Sequence, residues 1–500
     1  MSEEIELKLS LTPEAFAVLP GALKQRGVRF LPARRMVTTY YDTAKGALEK
    51  KGVFLRLRVT GGKIEQTVKT VGDGGVLARR GEWNWPLKSA EPDLELAAST
   101  GLKVLERRAR KGGIAPRYAS EITRRIAIVK LGAATLELSL DKGLVRAGRR
   151  TAEVRELEIE VKAGDPGAVF ALARDLLAMP GISIGFATKA SRGIALAEGA
   201  QERFLRAAEP RLKAAMTPAV AAAAILDDCA AHAAANLQFL AETRAPEAIH
   251  QARVALRRLR AALVLLKGAI PPERRHHLRR EAGWLASEMG PARDLDVLSA
   301  GALKAAAPPQ ALAASYAALA RSVERARRAA RAAAVASALS PRAQHLLLDI
   351  SQTASGLSGG EGDAGIAGLA AKQLERRYQA AMAAGVGVEG ADVEARHRLR
   401  LALKKLRYAA DFFAPLFPKK AVKAVKAELK ALARLQDSLG AFNDAAMAPM
   451  VAARAAKGTQ EGALAFLSGW AAHRAEAAWA EAAGHLARFR KAEPFWREAL

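Results

Sequence analysis

Five hundred residues suffice for two or three domains, and with half of them hydrophobic and a mean hydropathy of −0.01 the chain reads as globular rather than disordered. No run of about 18 uncharged apolar residues occurs, and Met-Ser-Glu-Glu leads straight into an alternating strand, so neither a membrane span nor a secretory or transit peptide is expected. One cysteine, Cys229, excludes a disulfide framework and points to a reducing cytoplasm. The net charge of +27 calls for a polyanionic partner; its division, about +11 before residue 200 and about +16 after it, excludes a single basic tail.

In chain order, period-two or β-rich runs predict strands over 5–11, 53–59, 63–70, 82–87, 122–130, 135–140 and 156–161. Turns fall at Thr60-Gly61-Gly62-Lys63 and Gly72-Asp73-Gly74-Gly75. Helices are expected over 12–26, with Pro13 as first helical residue, and over 167–178. Roughly eight short strands in residues 1–198 suggest a closed antiparallel barrel or a sandwich. Residues 199–214 read as a linker. Residues 215–500 are rich in Ala, Leu and Arg at helical spacing and read as an all-α domain, interrupted over 351–368 by Ser358-Gly359-Gly360-Glu361-Gly362-Asp363.

The helical half repeats itself. Ile249-His250-Gln251-Ala252-Arg253-Val254-Ala255-Leu256-Arg257-Arg258-Leu259-Arg260 aligns with Arg396-His397-Arg398-Leu399-Arg400-Leu401-Ala402-Leu403-Lys404-Lys405-Leu406-Arg407. Further on, Gly290-Pro291-Ala292-Arg293-Asp294 aligns with Gly440-Ala441-Phe442-Asn443-Asp444. Two pseudo-symmetric helical bundles, about 215–350 and 369–500, are the expected architecture.

In the strand half, Glu4, Glu6 and Lys8 alternate along one strand and share a face. Arg56 and Arg58, Arg80 and Glu82, and Glu156, Glu158 and Glu160 have the same spacing; Lys69 follows in Gln66-Thr67-Val68-Lys69, and Glu137 and Asp141 stand four apart. Charge on one strand face alone suits an ordinary solvated strand. A lumen lined with both signs suits a triphosphate: arginines and lysines neutralise it through forked hydrogen bonds, and hard carboxylate oxygens hold Mg2+ or Mn2+. All eight histidines lie after residue 230, so a zinc site is not expected here.

Glu4-x-Glu6-x-Lys8, Tyr40-Tyr41-Asp42-Thr43, Leu55-Arg56-Leu57-Arg58, Arg80-Gly81-Glu82, Leu140-Asp141-Lys142-Gly143 and Glu158-Ile159-Glu160 together resemble the CYTH domain of the triphosphate tunnel metalloenzymes, over about 2–198. The resemblance implies an eight-stranded antiparallel tunnel that hydrolyses a triphosphate with Mg2+ or Mn2+. It implies Glu4, Glu6, Asp141, Glu158 and Glu160 as metal ligands. Lys8, Arg56, Arg58, Lys69, Arg80, Arg124 and Lys189 become phosphate ligands, and Glu137, with Lys8, catalytic. Arg124 and Arg125 are neighbours in one strand, so only one can face inward. Tyr41 and Asp42 suit a structural strand-end role.

On their helices His250, Arg253, Arg257 and Arg260 fall within roughly an 80° arc, as do His397, Arg400, Lys404 and Arg407. Arg258 and Lys405 flank these stripes, and Lys423, Lys426 and Lys430 add cation at helical spacing. Cationic neighbours would repel a metal dication and attract a phosphate; a solvated basic surface is the plainer alternative. The stripes, with Arg293-Asp294-x-Asp296, resemble the CHAD domain over about 215–495. That resemblance implies a basic groove for inorganic polyphosphate; Arg293 with Asp294 and Asn443 with Asp444 suit a structural role, capping helices and orienting arginines.

The leading expectation is therefore a metal-dependent triphosphatase acting on tripolyphosphate, fused to a polyphosphate-binding domain that can place it at polyphosphate granules. Alternatives are an organic triphosphate (thiamine triphosphate, or ATP, including cyclisation) and a non-catalytic nucleic-acid binder. Trp83 and Trp85 are the only aromatics expected near the site, one of them facing away from the lumen, and the basic stripes carry no interleaved aromatics for stacking bases.

Overall fold

The structure is a computed structural model and describes all residues except 1, 73–74, 200–203, 358–364, 391, 418–421, 457, 459 and 500, and the side chains of 2–3, 422–424 and 498–499. Parts of the expected linker, of the turn at Gly72-Asp73-Gly74-Gly75 and of the break at 351–368 thus lie outside the described residues, as does the Lys423 side chain. The chain forms two compact units. The first is Met1–Leu205 with Ala230–Glu242 and Leu339–Gln352; the second is Arg206–Cys229, Thr243–Ala338 and Thr353–Leu500.

The first unit is built on β1 (Ser2–Leu11), β2 (Arg34–Asp42), β3 (Val53–Thr60), β4 (Lys63–Thr70), β5 (Leu77–Leu87), β6 (Ala115–Leu131), β7 (Ala134–Ala147), β8 (Arg150–Ala163) and β9 (Ile182–Ile184). Their order is β5-β4-β3-β2-β6-β7-β8-β1-β9, and β5 also pairs with β1. Every pairing is antiparallel, so eight strands close a barrel and no sandwich forms. β9 extends it, with Leu9 opposite Ile184 beyond the end of the β1–β5 ladder. Gly61 and Gly62, with φ of 55° and 82°, make the two-residue β3–β4 turn, a conformation that favours paired glycines.

The barrel's apolar face is its outside. Leu7, Leu9, Leu136, Leu138, Leu157 and Ile159 are fully buried there. Over them lie α1 (Pro13–Gln25) and, after α2 (Leu94–Ala98) and α3 (Lys103–Lys111), α4 (Ala168–Leu177), which pack on β1, β8 and β9. Pro13 opens α1 as expected, and Thr12 Oγ1 accepts from Ala15 N at 3.2 Å. The charged side chains face the lumen, with Tyr40 and Phe54 among them. α5 (Lys189–Glu198) sits tight on β6: a Cβ at Gly193 would fall 2.0 Å from the Tyr118 ring.

The remaining helices are α6 (Pro218–Thr243), α7 (Pro246–Leu265), α8 (Pro272–Glu288), α9 (Gly290–Ala300), α10 (Ala302–Ala305), α11 (Ala313–Leu339), α12 (Pro341–Leu357), α13 (Ile366–Gly385), α14 (Val393–Phe413), α15 (Val422–Ala455), α16 (Glu461–Lys491) and α17 (Trp496–Ala499). A division at 199–214 separates the chain by composition; by contact, the end of α6 and most of α12 go with the barrel. There Ser351 Oγ accepts from Val76 N at 3.3 Å and Asp349 pairs with Arg174.

In the second unit the repeat halves meet where α7 packs on α14. Leu256, Leu259 and Leu263 of α7 and Leu399, Leu403 and Leu406 of α14 are buried. The copies differ at one point. Gly290-Pro291 separates α8 from α9, whereas Gly440-Ala441 runs through α15 unbroken. Proline has no N–H to continue a helix and is favoured in the first turn; alanine imposes no break. Among the described residues no helix is long and apolar enough to cross a membrane.

Candidate functional site

Strand alternation delivers the charged residues to one cavity of about 710 Å³. It is lined by Glu4, Glu6 and Lys8 of β1, Tyr40 of β2, Arg56 and Arg58 of β3, Lys69 of β4, Arg80 and Glu82 of β5, Arg124 of β6, Glu137 of β7, Glu158, Glu160 and Lys162 of β8, and Lys189 of α5. Register then pairs opposite charges across strands: Glu4 faces Arg80, Lys8 faces Glu158 and Lys69 faces Glu82. Lys69 Nζ donates to both Glu4 oxygens at 2.8 and 2.7 Å, Lys8 Nζ to Glu158 at 2.8 Å, and Arg80 to Glu6.

Charge is unevenly spread within the cavity. Glu160 stands with Glu4 and Glu137, and burial together with those two carboxylates lifts its pKa despite Lys162 at 2.7 Å. A carboxylate raised in this way gains from a cation. Arg58 lies beside Arg56 and near Arg124; Arg56 foremost, then burial, lower it to about 10. A guanidinium lowered in this way gains from an anion. Arg56 is 8% exposed, its ion pair to Glu82 is long at 3.6 Å, and its Nε has no hydrogen-bond partner. The donors at the acidic end are carboxylate oxygens without imidazole or thiolate, which fits Mg2+ or Mn2+.

The second unit holds a different arrangement. Arg253, Arg257, Arg400 and Lys404 converge where α7 meets α14, faced by Asp294 and Asp444. Burial, then Arg400 and Arg257, depress Lys404 to about 7. Burial and Arg293 hold His250 at about 4, so it is neutral at pH 7. The Nε atoms of Arg253 and Arg400 are buried without a hydrogen-bond partner. His397 Nδ1 lies 3.2 Å from Asn443 Oδ1, which fits that nitrogen as the donor.

Two family models match: the CYTH domain over residues 2–194 and the CHAD domain over residues 224–453. The chain joins a CYTH domain to a CHAD domain. Its CYTH part is similar to an inorganic triphosphatase of Haemophilus influenzae, 29% identical over 197 residues, which are 39% of this chain; the match spans 55%, about half, of that relative. The solved CHAD domain of Ricinus communis is similar at 29% identity and a TM-score of 0.51, covering 59% of this chain and 98% of its own. A Hippeastrum protein described as having a dominant triphosphatase activity is similar at 21% identity and a TM-score of 0.28, covering 40% of this chain and 97% of its own.

Within the CYTH domain all seven expected phosphate ligands and Glu137 line the cavity, as do Glu4, Glu6, Glu158 and Glu160. Arg124 is the inward member of its pair; Arg125 lies over the Phe30 ring at 5.3 Å. Asp141 stands behind the lining, fully buried, its oxygens taken by the Arg124 fork at 2.7 and 2.6 Å and by Lys189 at 2.7 Å. Asp141, Glu156 and Glu158 approach within 4.8 Å, an acidic cluster able to hold a metal. Here the Lys189 ammonium sits among them, bonded to all three, and its pKa is raised because these carboxylates outweigh the cost of burial. Glu158 is correspondingly held well below the usual carboxylate range: burial would raise it, but Lys189, Lys8 and Arg124 prevail.

Trp83 and Trp85 both pack outside the barrel, against Leu55 and Val68, rather than one on each face; residues two apart on a strand share a side. Asp42 is structural, accepting from the backbone of Thr43, Leu48 and Glu49 at 2.6, 2.9 and 3.0 Å. Glu156 and Lys162 are site residues that period two alone would have extended to. Tyr40, stacked on Tyr118 at 4.7 Å, carries no such signal. Burial would raise its pKa, but Arg56, Arg58 and Lys189 together lower it.

Within the CHAD domain Arg258 leaves the basic stripe. It is 4% exposed, pairs with Asp228 at 2.9 Å and lies over Phe412 at 4.7 Å. Arg260, Lys405, Lys426 and Lys430 are exposed, and Arg407 reaches Gln436 at 3.3 Å and Asp411 at 3.6 Å.

Proposed function

We propose that the CYTH tunnel hydrolyses inorganic tripolyphosphate with Mg2+ or Mn2+, and that the CHAD domain binds long-chain inorganic polyphosphate. The observation that carries the first part is the uneven lumen, which holds in one cavity a carboxylate, Glu160, that gains from a cation and an arginine, Arg58, that gains from an anion. The similarity to an inorganic triphosphatase supports it. The second part rests on crowded cations that only an anion would relieve.

In this reading Glu4, Glu6, Glu158 and Glu160 hold the metal, which supplies charge neutralisation and Lewis acidity when bound. Arg56, Arg58, Lys69, Arg80, Arg124 and Lys189 hold the phosphates in line for attack. Glu137 takes the proton of the attacking water as its oxygen bonds the terminal phosphorus and the bridging P–O bond breaks. Lys8, kept protonated by Glu156 and Glu158, steadies charge on the departing pyrophosphate. Asp141 orients Arg124. Both tryptophans lie outside the lumen, which leaves Tyr40, Phe54 and Phe186 as its aromatic lining.

Phosphate release from tripolyphosphate, ATP and thiamine triphosphate, with and without Mg2+ or Mn2+, tests this. Tripolyphosphate should lead, only with metal, and Glu4→Ala with Glu6→Ala should abolish it. Undiminished release in the double variant would sink the assignment.

A further inference from the structure

Lys189, among the described residues the tunnel's one cation supplied by a helix, opens α5, so its position depends on the segment that leads into that helix. The amides of that segment are fully accounted for. Ile184 N donates to Gln344 Oε1 at 2.7 Å, and Gly185 N to Lys8 O at 2.8 Å. Phe186 N and Ala187 N both donate to Gln238 Oε1, at 2.7 and 3.0 Å. Thr188 N donates to Ser191 Oγ at 2.9 Å in the cap of α5. Gln238 belongs to the end of α6, far along the chain but within the barrel's compact unit. Its Nε2 donates to Glu242 at 2.8 Å, and Glu242 pairs with Arg192 of α5 at 3.6 Å. One turn of α6 therefore grips α5 both ahead of Lys189 and one turn beyond it.

We propose that Gln238 is a positioning residue for the tunnel: by accepting from the Phe186 and Ala187 amides it seats Lys189 among the phosphate-binding cations. This rests on the triphosphate reading of the tunnel. The strand ladder offers those two amides no partner past Gly185, so without the Gln238 oxygen they lose their hydrogen bonds and the path into α5 is free to change. A CYTH domain cut at residue 198 would lack this clamp.

The test uses the full chain. Gln238→Leu should speed amide exchange over residues 184–189 and weaken tripolyphosphate binding about tenfold, the scale of losing one charge-assisted contact. Gln238→Glu with Glu242→Gln, which restores the acceptor and its internal hydrogen bond, should recover both. In a Lys189→Ala background Gln238→Leu should weaken binding no further. An equal loss in that background, or wild-type binding and exchange in Gln238→Leu, would overturn the proposal. Wild type that binds tripolyphosphate without hydrolysing it would sink the triphosphatase reading alone, because the cycle is read on binding. Wild type that does not bind it would sink both.

Discussion

In the tunnel nearly every cation has a carboxylate beside it, Lys69 with Glu4, Arg80 with Glu6, Lys8 with Glu158, Arg124 with Asp141. Where α7 meets α14, by contrast, Arg253, Arg257, Arg400 and Lys404 crowd one another, with Asp294 and Asp444 as the facing acids. Paired charges offset part of one another's cost of burial and hold a fixed geometry, which suits a reaction that needs metal and phosphate at set places. Crowded like charges store repulsion that any phosphate chain relieves, whatever its register, which suits binding without chemistry.

The sharpest way to break this comparison is to remove carboxylates from the tunnel. Glu4→Gln with Glu6→Gln should lower metal-dependent tripolyphosphate hydrolysis by at least about a hundredfold, the scale for losing even supporting groups around a metal. Polyphosphate binding by the same variant, measured by filter retention, should stay at the wild-type level. A parallel fall in both would mean that one site serves both polymers.

The next effect concerns stability. Arg124→Ala removes the fork from Asp141, which is fully buried and, among the described residues, keeps only Lys189 as a close cation. A loss of about 3 kcal/mol in chemical denaturation is expected. Arg125→Ala gives up a stack on Phe30 and should cost about 0.5 kcal/mol. Equal losses would mean that the tunnel charges are not held as pairs.

That neighbouring pair shows how far the chain can be read before its structure is known. Alternating charge marked most of the residues that line the lumen, because period two is a local property, but it left barrel and sandwich both open. It could not choose between Arg124 and Arg125, because the choice needs the register of β6 against Asp141. β2 forms over Arg34–Asp42 although its first residues lack alternation, since β3 and β6 flank it on both sides. In the helical half the arc of the stripe was legible, but Arg258 stands 100° from Arg257, on the side where Asp228 and Phe412 are packed. Gln238 gave no signal at all. A glutamine on an alanine-rich helix looks solvated until the fold brings two unpaired amides to it.

A smaller effect lies in the crowded site itself. Lys404→Met should weaken polyphosphate binding about three- to tenfold at moderate salt and lower the slope of log affinity against log salt by about 1. A loss of affinity with the slope unchanged would mean that Lys404 packs but does not meet phosphate.

The smallest effect separates stored repulsion from ordinary basicity, and its sign is fixed. Free Lys404 titrates at about 7, and bound phosphate must raise that value. Below pH 7 the ammonium is present already and its contribution to binding is complete. Above pH 7 binding has to take up a proton, so affinity for long polyphosphate should fall, by at most about tenfold per pH unit, until the pKa of the bound state is reached. His250, neutral above about 4, adds nothing in this range. Stability without ligand runs the other way. The unfolded chain binds the Lys404 proton up to its ordinary 10.5, so stability should rise as pH climbs from 7 towards that value. Lys404→Arg, charged throughout, should flatten both profiles; an affinity profile in wild type as flat as in that variant would show that Lys404 is no more crowded than a surface lysine.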